Sequence, residues 1–175
     1  MLVVRYGAGE WGVGELWFQD GVPVWHELPT RALELRAPRR RGGSSAPTRT
    51  LAKPDSRPGD ESVPELARRI ARYFRGDEVS FADVELDVEE YTPFQRALAA
   101  AIQAVPYGQT VTYGELAALA GRPNAPRAAG SFCAQNRLPL IYPCHRVVAA
   151  GGLGSYGSLG LDYKRRLLEL EHAAF

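Results

Sequence analysis

The chain has 175 residues, 45% of them hydrophobic, a formal net charge of +1, two cysteines and three histidines. That length supports one good-sized domain or two small ones, each with a real core. The near-zero charge argues against a chain that is basic overall, and two cysteines are too few for a disulfide framework or a multi-cysteine zinc site.

The opening MLVVRYGAGEWG has no charged leader followed by an apolar core, and no apolar run reaches the ~20 residues that cross a bilayer. The expectation is a soluble, cytoplasmic protein (nuclear in a eukaryote) that keeps its thiols reduced and has no membrane partner. Residues 1 to 36 alternate short β-rich runs with glycine-containing turns such as QDGVP, the pattern of a small antiparallel sheet. The segment that follows, rich in Arg, Pro, Ser and Gly, has almost nothing to bury and is expected to be a loop or linker at about 37–61. Its Arg39, Arg40 and Arg41 are either a solvated charge run or a phosphate contact.

From residue 62 the signals turn helical. Ser62 and Glu65 form a capping box with Pro64 in the first turn, ahead of an apolar face of Leu66, Ile70, Tyr73 and Phe74. VSFADVELDV, residues 79 to 88, alternates as a strand returning to the sheet would. Thr92 opens a second helix with Phe94, Leu98, Ile102 and Val105 inward. Thr112 and Glu115 form a further capping box, for a helix ending at Gly121. The next helix starts near Asn124 and ends before Asn136, and a last one occupies the C-terminal LDYKRRLLELEHA. Two helices joined by GRPNAP have the form of a helix-turn-helix. The second carries Ala128, Ala129, Gly130 and Ser131, small side chains that let another core helix or the floor of a DNA groove come close, with Arg127 as its one long cation. The expected fold class is α+β: an N-terminal sheet domain over 1–88 and a mainly helical domain over 89–175.

The run PLIYPCHRV places Cys144 beside His145. A thiol of ordinary pKa is only a few per cent ionised at neutral pH, so a nucleophilic cysteine needs a base or an electropositive setting. On an extended strand adjacent side chains face opposite ways, so His145 serves Cys144 only if the chain turns there or a water bridges them. A carboxylate would orient the imidazole, and Glu169 and Glu171 are the candidates. Cys144 on its own reads equally well as a buried core residue, and Cys133 reads as a small apolar side chain.

Several spaced blocks resemble one family. TPFQRAL, VPYGQTVTYGELAALAG, RAAG, Asn136 with Pro139, PCHRV, GGLGSYG and KRRLLELE follow, over about residues 91 to 171, the order and spacing of the alkylguanine-DNA alkyltransferases, the methylated-DNA–protein-cysteine methyltransferases. The resemblance implies direct-reversal DNA repair. An alkylated guanine is flipped out of double-stranded DNA approached from the minor groove. Its 6-oxygen alkyl group then passes irreversibly to Cys144, one per molecule, in a protein that works as a monomer without cofactor. It further implies roles for particular residues. Arg127 fills the gap left by the flipped nucleotide, with Ala128 and Ser131 on the same helix. Tyr113 pushes the neighbouring phosphate and donates to the departing guanine. Asn136 organises the turn before the cysteine, and His145, oriented by Glu171, is the base through a water. Val147, Val148, Gly154, Ser155, Tyr156, Gly157 and Ser158 wall the base pocket, and Lys164 ties that loop to the last helix. The chain departs from the family pattern at Arg137, Pro126 and Ser158. It has no cysteine before Cys133, so no zinc is expected in the N-terminal domain. The competing readings are a lesion-binding module without chemistry and a cysteine hydrolase that turns over.

Overall fold

The computed structural model describes residues 1–31 and 65–175. The linker at 37–61, the Arg39 to Arg41 cluster and the Ser62 cap lie outside the described residues. Packing divides the chain into two compact units, Met1–Val79 and Ser80–Phe175.

The first unit holds an antiparallel sheet of β1 (Leu2–Gly7), β2 (Val13–Gln19) and β3 (Val22–Thr30), in that spatial order. Between β2 and β3 the two residues Asp20 and Gly21 both adopt positive φ, 51° and 86°. This is the type I′ geometry that Asp-Gly favours in a two-residue hairpin. Helix α1 (Glu65–Tyr73) packs on β1 and buries Ala67, Ile70 and Tyr73. Phe74, just beyond it, meets the rings of Trp11 at 5.2 Å and Tyr6 at 6.4 Å.

Residues 79 to 88 form no strand. The alternation is real: Val79 and Phe81 are buried, Val84, Leu86 and Val88 half-buried, and the acidic side chains between them exposed. The backbone, however, closes on itself in short turns, Val84 N–H to Phe81 O at 3.1 Å and Glu89 N–H to the Asp87 carboxylate at 2.9 Å. Serine and aspartate side chains that capture nearby N–H groups offer the backbone an alternative to a ladder. The segment from residue 80 onward lies in the second unit.

That unit consists of α2 (Pro93–Gln103), a two-residue strand β4 (Val111–Thr112), α3 (Tyr113–Leu119), α4 (Pro126–Ala134), a 3-10 turn at Cys144–Arg146, β5 (Val147–Val148), a second 3-10 turn at Gly157–Leu159 and α5 (Gly160–Leu170). Of the three capped helix starts read from the sequence, at Ser62, Thr92 and Thr112, the two within the described residues are present. Thr92 and Gln95 exchange bonds at 3.3 and 2.9 Å, and Thr112 and Glu115 at 3.1 and 2.6 Å. Each such box contributes on the order of 1 kcal/mol and fixes where its helix begins. Helices α3 and α4 pack together across the turn that joins them, where the Arg122 guanidinium lies 4.8 Å from the Phe94 ring centroid. β4 and β5 pair in parallel, Val111 with Val147 and Thr112 with Val148, which brings the start of α3 beside the chain leaving Cys144. Among the described residues no helix is long and apolar enough to cross a membrane.

Candidate active site

The approach to Cys144 is built by one amide side chain. Asn136, just past the end of α4, donates from Nδ2 to the Tyr142 carbonyl at 2.8 Å and to the Cys144 sulfur at 3.0 Å, while its Oδ1 accepts the Leu138 N–H at 2.9 Å. The intervening chain folds back tightly, with Tyr142 N–H on Leu138 O at 2.9 Å and Leu140 held at a φ of 74°. Pro143, at φ −75° and ψ 64°, is the centre of an inverse γ-turn closed by Cys144 N–H on Tyr142 O at 2.7 Å. Cys144, His145 and Arg146 then make a single 3-10 turn. The chain therefore turns where an extended strand would have sent the thiol and the imidazole to opposite faces.

His145 is fully buried, and its Nε2 meets Glu171 Oε1 at 2.7 Å. Glu171 caps the C-terminus of α5 and is the carboxylate partner; Glu169 is exposed. Glu171 receives donors from three residues among those described. Besides His145 these are Arg146 Nη2 to Oε1 and Arg146 Nε to Oε2, both at 2.9 Å, and the Gly108 N–H to Oε2 at 3.1 Å. Burial works against the Glu171 charge, yet the His145 and Arg146 bonds outweigh it and hold the carboxyl well below the usual carboxylate range. Burial lowers the His145 imidazole below its ordinary value in spite of Glu171. The two directions fit one state: an ionised Glu171 compensated by Arg146, and a neutral His145 whose Nε2–H points at the carboxylate. Gly108 reaches this carboxylate at a φ of 73°, with its missing Cβ only 2.9 Å from the Glu171 carbonyl oxygen, so a side chain there is excluded twice over.

Cys144 is buried, and that burial pushes its thiol pKa up. The Asn136 amide, the Lys164 ammonium and the Tyr156 hydroxyl oppose that rise without cancelling it. The setting is therefore not the electropositive one that holds a standing thiolate: the sulfur rests as a thiol, and its proton must leave during reaction. The Tyr156 hydroxyl is buried and acts on the sulfur, although its placement completes no hydrogen bond. Cys133 is half-buried on α4, and burial drives its thiol up to about 12, an inert apolar side chain.

Lys164 is completely buried, a costly position for an ammonium group. Its Nζ donates to the carbonyls of Val147 and Leu153, both at 2.6 Å, and of Ser155 at 3.3 Å, and lies 5.9 Å from the Tyr113 ring centroid. α5, β5 and the glycine-rich loop are thus joined at one atom. Val147 and Val148 are buried, whereas Gly154, Ser155, Gly157 and Ser158 are exposed. Gly154, at a φ of 79°, lies against Tyr113: a Cβ there would stand 3.1 Å from the phenol oxygen. Arg127, Ala128 and Ser131 stand on the exposed face of α4, away from the hydrogen bonds to the sulfur, and the Ser131 hydroxyl donates to Arg127 O at 3.0 Å. Arg146, Gly108 and Tyr107 are functional neighbours that sequence reasoning passed over. Arg146 stood inside the quoted PCHRV, but nothing in a sequence marks an arginine that will be 6% exposed. Among the described residues no group of three or more His, Cys, Asp or Glu side chains is arranged to hold a metal ion.

The chain is similar to proteins of known family. Residues 93–173 match the family described as 6-O-methylguanine DNA methyltransferase, DNA binding domain. The methylated-DNA–protein-cysteine methyltransferase of Methanopyrus kandleri is 44% identical over 115 residues, covering 66% of this chain and 85% of that protein. The crystal structure of Mycobacterium tuberculosis OGT in complex with DNA superposes with a TM-score of 0.73 at 31% identity, covering 99% of this chain and 95% of that one. The O6-methylguanine-DNA methyltransferase of Pyrococcus kodakaraensis gives 0.65 at 26% identity, over 97% and 98%. The fold is that of the DNA alkyltransferases. The chain belongs to the methylated-DNA–protein-cysteine methyltransferase family.

Proposed function

We propose that the protein repairs alkylated guanine in duplex DNA by taking the alkyl group from the 6-oxygen onto Cys144, once per molecule. The observation that carries this reading is the turn that presents a buried, Asn136-bonded sulfur next to a neutral imidazole oriented by an ionised carboxylate. His145, acting through a bridging water, takes the thiol proton, Glu171 stabilises the imidazolium, and the sulfur attacks the methyl carbon in line. The S–C bond forms as the C–O bond breaks. The guanine leaves as its anion and recovers the proton, with Tyr113 donating to it. A thioether has no easy hydrolytic exit, so the protein is consumed.

A base inside a duplex is out of reach, and extruding it costs a few kcal/mol of stacking and pairing. Arg127, exposed beside Ala128 and Ser131 on the smooth face of α4, is suited to enter from the minor groove and fill the gap. Val147, Val148 and the loop from Gly154 through Ser158 wall the pocket for the everted purine, and Lys164 keeps that loop in place. No cofactor takes part, a monomer suffices, and the work belongs where the genome is, in the cytoplasm of a prokaryote or the nucleus of a eukaryote.

Mixing the protein with duplex DNA bearing O6-methylguanine should add one methyl mass to the peptide holding Cys144 and none to Cys144→Ser. Intact-mass and peptide-mass measurement reads both, and repaired DNA in excess of one equivalent per protein would reject the stoichiometric mechanism.

A further inference from the structure

We infer that Arg146 is a positioning residue of the methyl transfer: it fixes the Glu171 carboxylate in place and in its charged form, and through it holds His145 as a neutral base of a single tautomer. This rests on the functional reading above and assigns a task to a side chain that bonds neither the sulfur nor the imidazole.

The position of Glu171 is unfavourable for a charge on two counts. It is buried at 2% exposure, and it caps the C-terminal end of α5, where the helix dipole is negative. Left alone there, a carboxyl would take up a proton and stop being an orienting acceptor. Arg146 removes that option. Its Nε and Nη2 form a parallel fork on the two carboxylate oxygens, both at 2.9 Å, the bidentate geometry that a guanidinium supplies and an ammonium does not. The remaining arm, Nη1, donates to the Val105 carbonyl beyond α2 at 2.7 Å, and the guanidinium stands 5.8 Å from the Tyr107 ring centroid. One buried side chain thus locks the end of α2, the turn that carries the thiol and the cap of α5 into one arrangement.

His145 Nε2 and the Gly108 N–H add two more contacts to the same carboxylate, so both of its oxygens are well supplied with donors. A proton that leaves the sulfur then rests on the imidazole, whose Nδ1 is the basic nitrogen when Nε2–H faces Glu171. The charged and titratable groups acting on this pair are Arg146 from the 3-10 turn, Lys164 from α5 and Tyr156 from the glycine-rich loop, while the Tyr107 hydroxyl is engaged on Leu170 O at 3.1 Å. Arg146 bonds both carboxylate oxygens. Its positive charge lowers the proton affinity of His145 and Glu171 alike, so removing it raises both.

The test compares full-length wild type, Arg146→Met and Arg146→Lys in single-turnover methyl transfer from duplex DNA, with rates followed by intact mass across pH. A parallel arm without DNA follows carboxamidomethylation of Cys144 by iodoacetamide. In Arg146→Met the acid limb of both profiles should move up by about one pH unit, with rates below the limb falling about tenfold. Arg146→Lys keeps the charge and loses the fork, so its limb should return towards wild type while its plateau stays lower. A wild-type limb in Arg146→Met, whatever the loss in rate or stability, would reduce Arg146 to a structural contact and overturn the inference. Should Arg146→Met not fold, Arg146→Lys decides: a lowered plateau supports the fork, and a wild-type plateau and limb refute it. Failure of wild type to accept a methyl group would sink the functional reading instead, and the iodoacetamide arm would still report on Arg146.

Discussion

Arg146 and Lys164 are both buried cations in the second unit, and they are satisfied in opposite ways. Arg146 is paired charge to charge with Glu171, whereas Lys164 donates to backbone carbonyls and lies at the face of Tyr113. An ion pair sets protonation states in its surroundings; a carbonyl cage sets the path of a chain. The first region therefore sets the charge state around His145, while the Lys164 charge also bears on the sulfur itself. The second governs whether the loop after β5 stays folded over Tyr113.

The contrast is sharpest under substitution. Glu171→Gln leaves a buried guanidinium without its counter-charge and should cost about 3–5 kcal/mol of stability, read from the urea unfolding midpoint. The pH dependence carries the same signature. The folded-state pKa of Glu171 lies below its unfolded value, so its contribution is complete above the ordinary carboxylate pKa of ~4.3 and is lost as pH falls beneath it. That part of the acid slope should vanish in Glu171→Gln. The loss that begins below ~6.5 from His145, which burial also depresses, remains in both proteins.

Lys164→Met should cost less, about 2–3 kcal/mol, because one charged donor is lost and some freed carbonyls can reach water once the loop opens. Amide hydrogen exchange should rise at residues 153 to 155 and stay unchanged at 144 to 146. A Lys164→Met penalty larger than that of Glu171→Gln, or exchange that spreads into the cysteine turn, would erase the distinction between the two regions.

The same division separates what was legible in the sequence from what was not. Local chemistry was legible. Thr92 with Gln95, Thr112 with Glu115, and Asp20 with Gly21 each specify their geometry within four residues, and the structure has all three. The alternation of residues 79 to 88 was read as a strand returning to the sheet, and that reading fails: burial alternates, but the segment forms turns. Burial periodicity does not say whether a neighbouring strand exists, and here none pairs with it. The cysteine turn was legible as a motif, but its electrostatics were not. Whether Cys144 rests as thiol or thiolate depends on how deeply it is buried, a sum over distant segments. Arg146 escaped for a related reason: its three hydrogen bonds go to two residues, Val105 and Glu171, 41 and 25 positions away.

Arg127 lies at the far end of this scale. It is exposed on α4, and its neighbours Ala128 and Ser131 are small and exposed as well, so Arg127→Ala should change stability by no more than about 0.5 kcal/mol. Its effect should appear only where a nucleotide has to leave a stack. If the side chain recovers even ~1.4 kcal/mol of the extrusion cost, Arg127→Ala slows methyl transfer from duplex DNA about tenfold and leaves reaction with the free alkylated base unchanged. Equal slowing on both substrates would remove the wedge role and tie α4 to the chemistry at Cys144. An unchanged duplex rate would mean that the walls of the pocket hold the everted base without help from the gap it left. The ratio of the two rates, not either one alone, is the quantity that separates a side chain working on DNA from those working on the sulfur.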